Sequence, residues 1–197
     1  MTEQSARQQL VAGAADMIRR RGLNATSIRE VAKHSGAPLG STYHYFPGGK
    51  HELAAEAVRY AGDTVAGILA AKLRIGPVEG LRAFLALWRE VITSTDYQAG
   101  CPVLAVSIEE TPVGEERPAA VTAAGTAFTT WSSQLAESLR HHGVARSRAE
   151  RLATLVVAAA EGAVAMCRAQ RSTKPLDHIT TELTTLLSAA VDQRRTD

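Results

Sequence analysis

Cysteine is nearly missing from this 197-residue sequence: only Cys101 and Cys167 occur, and they form no CxxC pair. That scarcity argues against a disulfide framework and a structural zinc site, and makes a reducing cytoplasm the expected compartment. Long apolar runs are missing too. The most apolar stretch, Leu152 to Ala160, stops at Glu161, short of the roughly 18 to 20 residues that span a bilayer. The opening MTEQSARQQL has no apolar signal core, so neither export nor membrane association is expected. No alternating run of β-branched and aromatic residues marks a strand. Catalytic signatures are absent as well: there is no GxSxG elbow, HExxH pair or dinucleotide fingerprint. Gly49-Lys50 fails as a phosphate loop, because His51 follows it and His44 stands where the first glycine belongs. An enzyme is not expected, and neither is a cofactor or metal. His141-His142-Gly143 reads as a helix end whose histidines face its negative pole.

The composition, 45% hydrophobic and 21% charged, fits one or two small globular domains with a buried core. Its net charge of +2 is unevenly spread. Residues 1–50 carry seven Lys or Arg and three acids, a net +4, and the remainder is −2. A basic head on a slightly acidic body suits a polyanion partner, although ordinary variation of surface charge gives the same pattern.

Apolar residues recur at helical spacing along the whole chain, so the expected class is all-α, with about nine helices in two unequal groups. The first helix is expected from a Ser5–Gln8 capping box to Gly22, after an arginine triplet. The second is expected from a Ser27–Glu30 box to Ser35-Gly36, and a third from Pro38 to Tyr45 before Pro47-Gly48-Gly49. Longer helices follow: 51–73, 78–95, a short one ending near Thr111-Pro112, Glu116 to His142, one from a Ser147–Glu150 box to Arg171, and Pro175 to about Gln193.

The stretch SIREVAKHSGAPLGSTYHYF, Ser27 to Phe46, holds three of the nine aromatics within four residues, Tyr43, Tyr45 and Phe46. Two short helices around a glycine turn form the helix-turn-helix arrangement, whose second helix enters the DNA major groove. Pro38 and Leu39 open that second helix. Ser41, Thr42, Tyr43 and His44 are read as its exposed polar groups, and Gly40 as room for close approach to the duplex. Phe46 is the expected core anchor. Tyr43 reads either as a packed ring or as a phenol on phosphate, with the second favoured. Lys50, just before a long helix, and the amides of Thr26 and Ser27 are candidate phosphate contacts.

At these residues, TSIREVAKHSGAPLGSTYHYF followed by PGGKHEL, the sequence resembles the TetR family of transcriptional regulators. Gly100-Cys101-Pro102-Val103 and EGAVAMCRAQRSTKPLD (Glu161 to Asp177) resemble its LmrA/YxaF subgroup. The resemblance implies a three-helix DNA-binding head, residues 1–50, and a helical ligand-binding and dimerisation body, residues 51–197. It further implies a homodimer on a palindromic operator, released from double-stranded DNA by a small-molecule inducer.

In the body, Leu176, Ile179, Leu183, Leu186 and Ala190 form an apolar seam. The preceding helix is crowded with small residues, Ala159 and Ala163 among them. The two together read either as a dimer interface or as an internal seam, and the resemblance favours the dimer. Phe84, Trp88, Tyr97, Cys101, Phe128, Trp131, Glu161 and Met166 are candidate ligand-binding residues. Glu161 can meet a cationic ligand or a neighbouring Arg, and Cys101 reads as a thiol sensor or, favoured, an inert buried cysteine. The reading set against a repressor is a helical scaffold or protein-interaction module without sequence-specific DNA binding.

Overall fold

The computed structural model describes residues 3–109 and 118–192, and among these there are nine α-helices and no strand. They are α1 (Glu3–Arg21), α2 (Ile28–His34), α3 (Leu39–Tyr45), α4 (Gly49–Leu73), α5 (Pro77–Ser94), α6 (Pro102–Ser107), α7 (Ala119–His141), α8 (Arg146–Gln170) and α9 (Lys174–Asp192). They form two compact units. The first takes α1 to α3, α4 as far as Thr64, α6, and α7 as far as Ala127. The second takes α4 from Val65, α5, α7 from Phe128, α8 and α9.

The first unit is built on α1, whose Leu10, Ala14, Met17 and Ile18 recur at helical spacing and are buried. Gly22, at φ +80°, ends α1 in a left-handed turn that a side chain would strain. Ser27 then starts α2 with a complete capping box. Its hydroxyl accepts from the Glu30 amide at 3.2 Å, and the Glu30 carboxylate accepts from the Ser27 amide at 3.2 Å. Ile28, Val31 and Ala32 bury the inner face of α2. Such a short helix depends on that packing. Phe46 is fully buried beneath α3, with the Arg7 guanidinium 5.0 Å from its ring centre. Val103 and Val106 of α6 are buried, and α6 packs on α1.

In the second unit α8 packs on α9 and α5, and α5 on α9. Gly80 lets α5 lie against the end of α4: a Cβ there would stand 2.6 Å from the Lys72 carbonyl oxygen. One described helix, α8, is long and apolar enough to cross a membrane by length and composition alone. Here it supplies core residues, among them Leu152, Val156, Val164 and Cys167.

Several local expectations need correction. Helix α1 is already running at Glu3, so Ser5 lies inside it and caps nothing. At α8 the N-cap is Ala145, without a side-chain bond, and Glu150 pairs instead with Arg146 at 3.0 Å. An i,i+4 ion pair inside the first turn thus takes the carboxylate that a capping box would need. Lys50 stands within the first turn of α4 rather than before it. The expected ends at Thr111-Pro112 and Gln193 and the start at Glu116 lie outside the described residues.

Candidate nucleic-acid interface

Helices α2 and α3 meet at a turn through Gly36, at φ +63°, where the left-handed backbone favours glycine. The turn's amides are satisfied internally: Gly36 donates to the Lys33 carbonyl at 3.2 Å and Ala37 to that of Ala32 at 2.9 Å. Pro38 N-caps α3 in extended conformation with no side-chain bond. The face of α3 that reaches solvent holds Gly40, Tyr43, 57% exposed, and His44, and Pro38 is exposed beside it. Leu39 and Ser41 are half-buried. His44 packs edge-on to Tyr45 at 5.3 Å. Arg29 and Lys33 of α2 are exposed as well.

Four expected contacts change character. Thr42 is fully buried and not exposed, because helical spacing turns it toward the core with Phe46. Thr26 is buried too, its hydroxyl donating to the Gly22 carbonyl at 2.7 Å and its amide to that of Leu23 at 3.0 Å. The Ser27 amide is held by Glu30, so neither of these two amides points free to a phosphate. Ser27 itself stays exposed. Lys50 Nζ donates to the Asn24 carbonyl at 3.2 Å, tying the start of α4 to the turn after α1.

Two supports of this surface were not singled out from the sequence. Asp16 binds Arg19 Nε at 2.7 Å, Arg20 Nε at 3.0 Å and His34 Nε2 at 3.1 Å, which joins α1 to α2. Burial pushes its carboxyl up, but hydrogen bonds from Arg19 and Arg20 and their charges outweigh that and hold it below the ordinary 3.8. The i+3 and i+4 spacing of those arginines was a legible signal. Glu109, after α6, accepts from the amides of Leu23 and Asn24, the latter at 3.1 Å. No local pattern announces that long-range pair.

In the second unit, Phe84, Trp88, Trp131 and Glu161 line one narrow apolar pocket together with Leu69, Leu81, Leu135, Val156 and Val164. Its volume is about 20 Å³, room for little more than a water. Glu161, 8% exposed, is its single charged wall residue. Phe128 meets Trp131 edge-on at 5.4 Å and lines a separate open cleft between α7 and α8. Tyr97, Cys101 and Met166 are not on the cavity wall. Tyr97 lies under the Arg171 guanidinium, Cys101 is buried in the first unit, and Met166 is 49% exposed. Burial pushes the Cys167 thiol above its ordinary value. Among the described residues no His, Cys, Asp and Glu cluster could hold a metal ion.

Of the expected dimer seam, Ala163, Leu176, Leu183 and Ala190 are buried within the subunit. Ala159, Ile179 and Leu186 are half-exposed.

Residues 10–57 match the family model for bacterial regulatory proteins of the tetR family, and residues 77–182 that for the LmrA/YxaF-like transcriptional regulator C-terminal domain. The chain belongs to the TetR family. This TetR-family regulator is 42% identical over 193 residues to an uncharacterized HTH-type transcriptional regulator of Mycobacterium tuberculosis, covering 97% of this chain and 98% of that one. It is 31% identical over 195 residues to the HTH-type transcriptional regulator LmrA of Bacillus subtilis, covering 95% and 99%. Its fold is that of the regulatory protein TetR from Rhodobacter sphaeroides, with a TM-score of 0.80 at 22% identity over 91% and 97% of the chains. The TetR-family chain is therefore a transcriptional regulator with a DNA-binding helix-turn-helix, and α2 and α3 form that motif.

Proposed function

We propose that the protein is a homodimeric repressor that binds a palindromic operator and releases it when a small molecule enters the body. The observation that carries this reading is the outward face of α3, Gly40, Tyr43 and His44, held up by a fully packed basic head. In this reading residues 1–50 carry the DNA contacts and residues 51–197 the ligand and the partner. Tyr43, His44, Ser41 and Ser27 meet phosphates, with the exposed Arg29 and Lys33 beside them. Lys50, Thr26 and Thr42 act from behind, by fixing the two helices. Two heads on a two-fold axis call for two half-sites about one helical turn apart. A scaffold role would leave this exposed, basic surface without a purpose.

The cavity walled by Phe84, Trp88, Trp131 and Glu161 is the proposed inducer site. At its present volume it must expand to admit a ligand, and that expansion can bias the head. Ligand and operator would then change each other's affinity by the same factor, typically 5- to 150-fold. The pairing surface is the outward side of α8 and α9: Leu155, Ala158, Ala159, Gly162 and Met166 with Ile179 and Leu186, all exposed or half-exposed.

A salt titration of DNA binding tests the reading. Each phosphate neutralised contributes a log-log slope of about −0.9. A steep slope, with binding weakened by Tyr43→Ala while the dimer persists, is the expected result. Binding insensitive to salt would refute it.

A further inference from the structure

We infer that α3 reads its half-site chiefly through the methyl groups of thymine. This rests on the reading of α3 as the helix that enters the major groove. Its sequence, LGSTYHY, contains no Arg, Lys, Asn, Gln, Asp or Glu. Those are the side chains that pair bidentately with guanine or adenine or accept from cytosine, and of the Ser and Thr residues in α3, Ser41 is half-buried. The N-terminal residues of a recognition helix are the ones that meet base edges. Here they are Pro38, exposed, Leu39, half-buried, and Gly40, exposed. An apolar tip has one apolar counterpart on the floor of the major groove, the C5 methyl of thymine. The hydroxyl of Thr42 is buried and cannot supply a polar contact.

Gly40 carries the second half of the argument. A Cβ built on it meets nothing within 4 Å, and its backbone is not in the left-handed region. Neither the protein's own packing nor its backbone geometry therefore calls for glycine, and glycine in a helix interior is unfavourable relative to alanine. The space is kept for something outside the chain. Gly40, Tyr43 and His44 stand on one helical face at i, i+3 and i+4. With Tyr43 and His44 on flanking phosphates, the gap at Gly40 lets the backbone of α3 approach the bases, and Leu39 and Pro38 reach the methyls.

The test uses the full-length protein and a pool of random duplex DNA. Duplexes enriched by binding are resynthesised with deoxyuridine replacing thymidine at one position at a time, which removes only the methyl group. Thymine is expected in each enriched half-site, and loss of a contacted methyl is expected to weaken binding about fourfold, the transfer effect of one buried methyl. Leu39→Ala is expected to remove the difference between thymine and uracil. Gly40→Ala is expected to raise the melting temperature and weaken DNA binding together, a combination that a structural role would not produce. An operator indifferent to uracil at every position would overturn the inference while leaving DNA binding intact. Recovery of no preferred duplex would overturn both.

Discussion

Asp16 shows how much of the helix-turn-helix surface rests on a residue turned toward its own neighbours. Its carboxylate holds Arg19, Arg20 and His34 at once, so one side chain ties the end of α1 to α2. Because its pKa lies below 3.8 in the folded protein, the stabilisation is fully present above that value and fades as pH falls through the folded pKa. Asp16→Asn is expected to destabilise the head by roughly 1 kcal/mol near neutrality, a small figure because the group is partly solvated. In urea melts the gap between variant and parent should narrow as the pH is taken below 3.8; a gap that is constant with pH would exclude the ion-pair account. Ser27, besides its exposed position, supports the surface through the capping box that starts α2.

At the scale of elements, close approach between helices is set by single small residues. Gly80 brings α5 onto the end of α4, and an added Cβ would fall 2.6 Å from the Lys72 oxygen and 2.9 Å from the Leu73 Cα. These are backbone atoms that cannot swing aside, so Gly80→Ala is expected to cost about 1 to 3 kcal/mol. Thermal melting of the variant checks this, and an unchanged midpoint would mean that the two helices can slide apart. The contrast with Gly40, whose neighbourhood is open, separates a glycine needed by the fold from one needed by a partner. A second element-level feature is the joint of the α5–α6 loop with the end of α8. Asp96, Tyr97 and Arg171 all have positive φ. Arg171 bonds Asp96 at 2.7 Å and stands 5.7 Å over the Tyr97 ring. Mutual contacts hold three unfavourable backbone conformations in place.

For the whole molecule, the proposed two-fold pairing would turn one recognition helix into an operator-binding device. Gly162 is the sharpest probe of the proposed surface: it is exposed on α8, and a Cβ built there meets no neighbouring element within 4 Å. Gly162→Arg is therefore expected to leave the subunit folded and helical, to shift sedimentation from dimer to monomer, and to weaken operator binding in parallel. A dimer that survives this change must pair elsewhere.

The helical class, the helix-turn-helix and the core role of Phe46 were readable along the chain, because each depends on spacing within a few turns, and the TetR family was legible as a resemblance carried by the residues from Thr26 to Leu53. Burial depends on neighbours distant in sequence and could not be read that way. The sequence put Thr42 on the outside, and the family resemblance favoured a dimer seam over an internal one for Leu176, Leu183 and Ala190; packing turned all four inward. The same holds for the pocket. Phe84, Trp88, Trp131 and Glu161 come together only because α5, α7 and α8 cross, while Cys101 folds into the other unit. Local periodicity decides which segments become helices, whereas the competition among helices for a shared interior decides which side of each one is left to meet a partner.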